Sequence, residues 1–154
     1  MTDKKYLEIS DKFEVNYLFS YGCISRFFQE IIENQRIFGT RCSKCGKVYC
    51  PPRSNCSNCY VSTEWVPLDG KGTIIAAVYS YWVPANWIGL QYVDLPFINA
   101  LVKLDGADTC LDSIVIVDDM TLNKKVVQGT RVKIKFRKKR EGKISDFYFV
   151  LDED

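Results

Sequence analysis

The fold turns on one stretch, Arg41-Cys42-Ser43-Lys44-Cys45-Gly46-Lys47-Val48-Tyr49-Cys50-Pro51-Pro52-Arg53-Ser54-Asn55-Cys56-Ser57-Asn58-Cys59-Tyr60. Cys42 and Cys45 form one C-x-x-C pair, and Cys56 and Cys59 form a second. Two intervening residues let a tight turn aim both sulfurs at one point. Two such knuckles face to face give four thiolates in the tetrahedral arrangement that zinc prefers. Gly46 follows the first pair, where a positive φ is easily adopted and backbone N–H groups can turn toward sulfur. Tyr60 holds the matching place in the second pair, which predicts that the second knuckle is the less regular. A lone C-x-x-C is a weak signal. Two of them about ten residues apart, with Pro51-Pro52 in the connector, read as a zinc ribbon. A closed site of four cysteines holds a fold together and does no chemistry. Structural zinc is the expected metal, with iron in a rubredoxin-like site as the alternative. Disulfides are disfavoured, because seven cysteines with three left over suit a reducing compartment.

Around the ribbon, 154 residues leave room for one ordinary domain or two small ones. Hydrophobic residues make up 47% of the chain, enough for a real core. The formal charge is +2, and a zinc ion on four thiolates would lower it to about zero. That balance argues against a protein built mainly to grip nucleic acid by charge. The start, Met-Thr-Asp-Lys-Lys, lacks the apolar core of a secretory leader. No apolar run approaches the roughly 20 residues of a membrane span, so a cytoplasmic location is expected. The chain has no histidine, which excludes Ser-His-Asp triads, histidine acid–base chemistry and histidine metal ligands.

Upstream, residues 1–36 read as a helical segment. Ser10-Asp11 is a candidate helix start before Phe13, and Tyr17 to Gly22 is an aromatic lead-in. From Ser25 a clearer helix begins, with Phe27, Phe28, Ile31 and Ile32 on one face, Arg26, Gln29, Glu30 and Glu33 mostly on the other, and an end near Asn34. The stripe reads either as packing on the chain's own core or as a face for a partner protein. Residues 37–68 form the ribbon: a strand over Ile37–Thr40, a return strand over Lys47–Tyr49 stopped by the two prolines, and a strand over Thr63–Leu68 that Pro67 places at an edge. Arg53 reads as a solvated loop cation, or as one that offsets the thiolate charge.

Residues 69–154 change character. Strands are expected over Thr73–Tyr81, Pro96–Leu104, Thr109–Val117, Thr130–Arg137 and Lys143–Leu151, separated by Asp105-Gly106, Asp118-Asp119, Gln128-Gly129 and Glu141-Gly142. Five strands in about 80 residues suit a small barrel of the oligonucleotide/oligosaccharide-binding (OB) type. The fold class is therefore mostly β with an N-terminal helix, a rubredoxin-like zinc ribbon and a five-stranded OB barrel. Asn123–Val127 sits where a short turn could cross to the fourth strand. The long connection Tyr81–Leu95 holds Trp82, Trp87, Ile88 and Tyr92. It reads as a plug over the barrel mouth, or as a contact surface for a protein or apolar ligand. Arg137, Lys138, Lys139 and Arg140, with Lys143, read as a solvated turn that blunts an edge, or as a phosphate or nucleic-acid contact. The tail Asp152-Glu153-Asp154 is expected to fray.

The order of parts resembles the zinc-ribbon/OB-fold family of acyl-CoA-associated proteins. The residues that carry this are Tyr21-Gly22, Phe27-Phe28, Gly39-Thr40-Arg41 before the knuckles, Pro51-Pro52-Arg53 between them, Leu68-x-Gly70-x-Gly72-Thr73, the Pro96-Phe97 entry and Leu101-x-x-Leu104-Asp105-Gly106. The likeness covers nearly the whole chain. Cys50 and the Trp-rich loop depart from it. The resemblance implies a small non-catalytic partner of a thiolase-like enzyme, which docks on and stabilises that enzyme and helps hold a coenzyme A thioester. The thiolase carries the nucleophilic cysteine. Cys42, Cys45, Cys56 and Cys59 carry over as metal ligands, and no catalytic residue does. Phe27, Phe28, Trp82, Trp87 and Tyr92 are then candidate contacts for the partner or the acyl group, and Arg137, Lys138, Lys139 and Arg140 candidate contacts for the CoA phosphates. The alternative is a single-stranded nucleic-acid-binding module, since ribbons and OB barrels both serve that role. A free-standing enzyme would have only Cys23, Cys50 or Cys110 as a nucleophile, with no histidine to activate it.

Overall fold

The computed structural model describes residues 6–12, 14–16, 18–84, 93–117 and 126–153. A single turn of 3-10 helix, Gly22–Ile24, leads into helix α1, Ser25–Asn34. Ser25 Oγ donates to the Gly22 carbonyl at 2.7 Å and closes that entry. The helix ends where Gln35 turns left-handed, φ 53°, with the Arg36 amide donating to the Glu30 carbonyl at 3.2 Å. The stripe predicted from the sequence divides in two. Phe27 and Ile31 are buried, whereas Phe28 is half-buried and Ile32 lies at the rim. The Ser10-Asp11 start has no counterpart, because residues 6–12 and 14–16 carry no helix.

Three strands follow: β1, Ile37–Cys42; β2, Val48–Tyr49; and β3, Thr63–Leu68. They form one antiparallel sheet in the order β2-β1-β3. Pro67 does lie on an edge strand, and β2 stops ahead of the two prolines. Gly39 is required by close approach: a Cβ there would sit 2.8 Å from the Tyr49 carbonyl oxygen.

The remaining strands are β4, Lys71–Ser80; β5, Phe97–Leu104; β6, Cys110–Val115; β7, Arg131–Phe136; and β8, Phe147–Leu151. They close a barrel in the order β4-β5-β6-β8-β7, with β7 returning to β4. The pair β6–β8 is parallel and the others are antiparallel, which is the OB arrangement expected from the turn spacing. Ile74, Ile98, Val102, Leu104, Leu111, Val132 and Phe149 point inward and are almost fully buried. Each contributes about 1.5–3 kcal/mol by leaving water.

Two expectations are corrected. The last strand starts at Phe147, not Lys143, because Ile144–Asp146 is a 3-10 turn. The Asp146 carboxylate accepts the amides of Glu141, Gly142 and Lys143 at 2.8, 2.7 and 3.0 Å, and these bonds compete with strand pairing. The tail does not fray at Asp152. Its carboxylate is 6% exposed and pairs with Lys71 at 3.1 Å and Lys133 at 3.0 Å. The Trp87 and Tyr92 part of the long loop, and most of the predicted crossing at 123–127, lie outside the described residues.

Ribbon, helix and barrel share one apolar core. Phe27 and Ile31 of α1 join Ile37, Val48 and Cys50 of the ribbon and the inward residues of the barrel. The free edge of β2 is zipped to the turn before β6. The Asp108 amide donates to the Val48 carbonyl at 2.8 Å, and the Val48 amide to Asp108 Oδ2 at 2.8 Å. The Cys50 amide donates to Thr109 Oγ1 at 2.8 Å, and that hydroxyl donates to the Cys50 carbonyl at 2.9 Å. Among the described residues, no helix is long and apolar enough to cross a membrane.

Candidate metal centre

Cys42 ends β1, so strand geometry places the first sulfur. The chain then turns, and the Gly46 amide donates to the Cys42 carbonyl at 3.0 Å while the Cys42 amide donates to the Lys47 carbonyl at 2.9 Å. The second knuckle repeats this pattern. The Tyr60 amide donates to the Cys56 carbonyl at 3.0 Å, and the Cys56 amide to the Val61 carbonyl at 2.9 Å. Both residues after the second cysteine are left-handed, Gly46 at φ 76° and Tyr60 at φ 57°. The expectation of a less regular second knuckle is therefore wrong, because Tyr60 adopts the turn that glycine would take.

Amides cradle the lead sulfur of each pair. Cys42 Sγ accepts from the amides of Lys44 and Cys45, both at 3.4 Å, and Cys56 Sγ accepts from the Asn58 amide at 3.4 Å. The four sulfurs of Cys42, Cys45, Cys56 and Cys59 lie within 4.8 Å of one another. Cys45 and Cys56 are 3.7 Å apart, sulfur to sulfur. A tetrahedral ion with metal–sulfur bonds of about 2.3 Å has an edge of about 3.8 Å, so the donor set fits a closed tetrathiolate site. These four cysteines are positioned to bind metal in a zinc ribbon.

The electrostatics call for a cation. Hydrogen bonding lowers the Cys56 thiol to about 6, with the Tyr49 hydroxyl the largest cause, and burial opposes the shift. Cys59 is pushed up to about 12, chiefly by its hydrogen bond with Cys45 and then by burial. Four sulfurs this close cannot all ionise without a positive charge between them. Lys47 and Arg53 stand over the Tyr49 ring, 5.4 and 5.6 Å from its centroid, one beside each knuckle.

Tyr49 is a residue that reading the sequence missed. It is 1% exposed, and its hydroxyl lies 3.3 Å from Cys56 Sγ and 3.0 Å from Ser57 Oγ. The hydroxyl also accepts the Ser57 amide at 3.1 Å. A strand returning from the first knuckle thus holds the lead sulfur of the second. Nothing in the spacing signals this beyond an aromatic residue in the strand between the pairs. Thr40 does similar work on the connector: its hydroxyl donates to the Arg53 carbonyl and accepts the Arg53 amide, both at 2.9 Å.

The other sequence-derived positions are scattered. Phe27 is 1% exposed in the core, and Phe28 stacks on Tyr21 at 3.8 Å between centroids. Trp82 is 76% exposed, while Trp87 and Tyr92 are not described. Arg137 donates through Nε to the Ser145 carbonyl at 2.8 Å and lies over the Tyr148 ring. Arg140 donates to the Ile32 carbonyl at 3.1 Å, near the end of α1, and to the Arg137 carbonyl at 2.6 Å. Lys139 pairs with Glu141 at 2.5 Å, and Lys138 is exposed. Cys50 is fully buried, which pushes its thiol up to about 12. Cys23 is exposed and Cys110 half-buried, and no described cysteine is in a disulfide.

With this geometry in view, comparison with known proteins is specific at the ribbon. Residues 30–65 match the family model described as ChsH2, rubredoxin-like zinc ribbon domain. The matched segment holds Cys42, Cys45, Cys56 and Cys59. A DUF35 domain-containing scaffold protein of Methanocaldococcus jannaschii is 28% identical over 93 residues, 59% of this chain. The match spans 63% of that relative's length. Two solved structures share the fold. One is a chain of the Ltp2-ChsH2(DUF35) aldolase, with TM-score 0.59 and 20% identity over 82% of this chain and 91% of that one. The other is a DUF35-family protein of unknown function from Sulfolobus solfataricus, with TM-score 0.59 and 22% identity over 85% and 87% of the two chains.

Proposed function

We propose that this chain is a non-catalytic, zinc-binding subunit of a thiolase-like acyl-CoA complex in the cytoplasm. In this role it docks on and supports the enzyme that carries the chemistry. The observation that carries the reading is the closed donor set. Four protein sulfurs within 4.8 Å would fill a tetrahedral ion and leave no position for water or substrate. Such a site holds two knuckles in register and turns over nothing. The name of the archaeal relative, a scaffold protein, and the pairing of ChsH2 with Ltp2 in the aldolase both support a partner-binding role.

Zinc is the metal proposed, since four thiolates in a closed shell suit it and the ribbon is of a zinc type. When bound, it would supply folding energy and charge neutralisation. The chain's own residues do the rest. Gly46 and Tyr60 close the knuckles, Tyr49 orients Cys56, and the links from Val48 and Cys50 to Asp108 and Thr109 carry the ribbon's rigidity into the barrel. The division we propose is an N-terminal segment over 1–36 whose helix is α1, a ribbon over 37–68 and an OB domain over 69–154. Trp82 is the proposed aromatic contact for the partner or acyl group. Lys138 and Lys139 are the hairpin cations proposed as contacts for CoA phosphates.

A nucleic-acid role has less support. The outer face of β4, β5 and β6 presents Ala76, Val78, Asn99, Leu101, Asp112 and Ile114, with Lys71 and Lys103 as its cations, and Lys71 is already paired with Asp152. Such a face has little to offer a phosphate backbone. The test of the proposed role is reconstitution with the thiolase-like enzyme encoded in the same gene cluster. The two should co-elute, and thiolysis or its reverse should need both chains. Separate elution, with full activity in the enzyme alone, contradicts the proposal.

A further inference from the structure

The chain ahead of α1 presents the largest group of exposed large apolar side chains among the described residues. Tyr6, Leu7, Ile9, Val15, Leu18 and Phe19 are all more than half exposed, and Leu18 is 101% exposed. The described residues of 6–20 carry no helix or strand. At Tyr21 the behaviour changes. Its ring stacks on Phe28 at 3.8 Å, and its hydroxyl donates to the Gly142 carbonyl at 2.9 Å. Gly142 belongs to the hairpin that the Asp146 carboxylate organises. The root of the arm is therefore fixed to the body, with Phe19 edge-on to Tyr21 at 5.2 Å.

Single exposed apolar residues are ordinary, but a run of six is not. Together they expose roughly 800 Å² of side chain, about one partner's share of a standard protein interface. Resting on the subunit role proposed above, we infer that this arm is the element that grips the partner enzyme, with Leu18 and Phe19 as its anchors beside the fixed root. A membrane does not fit as occupant. The intervening charges are Glu8, Asp11, Lys12 and Glu14, three acids to one base, which an anionic surface repels. The chain's own helix cannot take the arm on its inner face, because Phe27 and Ile31 already fill that face against the core. The expected seat is an apolar groove on the larger subunit.

The test uses full-length chain, the double variant Leu18→Asp/Phe19→Asp, and a variant lacking residues 1–19. Binding to the co-encoded thiolase-like enzyme is measured by calorimetry. Both side chains of the double variant are exposed, so its circular dichroism and metal content should equal those of the full chain. Affinity should fall at least ~100-fold in both variants, as for the loss of two interface anchors. Full affinity in the variants, with full-length chain binding well, overturns the arm while leaving the subunit role intact. No binding by the full-length chain removes both. Concentration-dependent self-association of the full chain that the double variant abolishes would assign the arm to a second copy and overturn the inference.

Discussion

At Gly46 and at Tyr60 the backbone makes the same left-handed turn, φ 76° and 57°, and the same two hydrogen bonds back into its knuckle. One position is glycine, and the other carries a phenol that is 85% exposed and finds little to pack against. A bulky residue in this conformation costs about 1–2 kcal/mol. The proposed structural zinc would return about 10–16 kcal/mol in folding free energy, and would easily offset one strained residue. The difference teaches that closing four sulfurs on one point dictates the backbone, and the residue type follows only where nothing stronger acts. The two knuckles differ in support as well. The first grows from β1 and β2, whereas the second depends on the bridge from Asn55 to Ser62 and on the hydroxyl of Tyr49.

If the two knuckles are equal halves of one site, removing a ligand from either should be equally damaging. Cys42→Ser and Cys56→Ser should each lower metal affinity about 100-fold or more, read by competition with a chromophoric chelator. A much smaller loss in one of them would break the symmetry. Tyr49→Phe should weaken metal binding about 10- to 100-fold and speed release, because the second knuckle loses both its sulfur contact and its Ser57 support. Exchanging the turn residues gives a smaller, signed effect. Gly46→Ala should destabilise by about 1 kcal/mol, and Tyr60→Gly should be neutral or stabilise by up to about 1 kcal/mol in thermal melts.

The barrel supplies the mildest contrast, since a charge cluster rather than a metal ties its last strand. The Asp152 carboxyl is held below its ordinary value, chiefly by hydrogen bonding to Lys133; burial opposes this, and the hydrogen bond to Lys71 adds a further lowering. A depressed carboxylate stabilises the fold above its unfolded value of 3.8 and loses that contribution as pH falls through the folded one. Stability should therefore decline in acid from about pH 4 downward. Asp152→Asn should flatten that part of the curve, measured by denaturant melts on metal-loaded protein. An unchanged acid slope would show that the ion pairs contribute nothing.

Local patterns were legible and long-range ones were not. The cysteine spacing announced the ribbon, the Phe/Ile period announced α1 to the residue, and turn dipeptides announced five barrel strands. What the sequence withheld depends on partners far away in the chain. Val48 pairs with Asp108 and Cys50 with Thr109, about sixty positions on, and no periodicity encodes that seam. Asp146 diverts residues 143–146 from a strand because its carboxylate satisfies the amides of residues 141–143. Tyr49 looked like any strand aromatic until its hydroxyl was found beside a sulfur. Asp152 looked like a tail residue until two lysines from β4 and β7 met it. At the candidate metal centre the four clustered cysteines were readable and the residues that orient them were not, because cysteine spacing is local and support is tertiary.

The central claim is a filled tetrathiolate shell that serves as scaffold. X-ray absorption at the zinc edge, on protein quantified for metal, tests it most directly. The account predicts one zinc per chain with four sulfurs at about 2.3 Å and nothing else in the first shell. A chain without stoichiometric metal, or a shell in which oxygen or nitrogen replaces one sulfur, would contradict it.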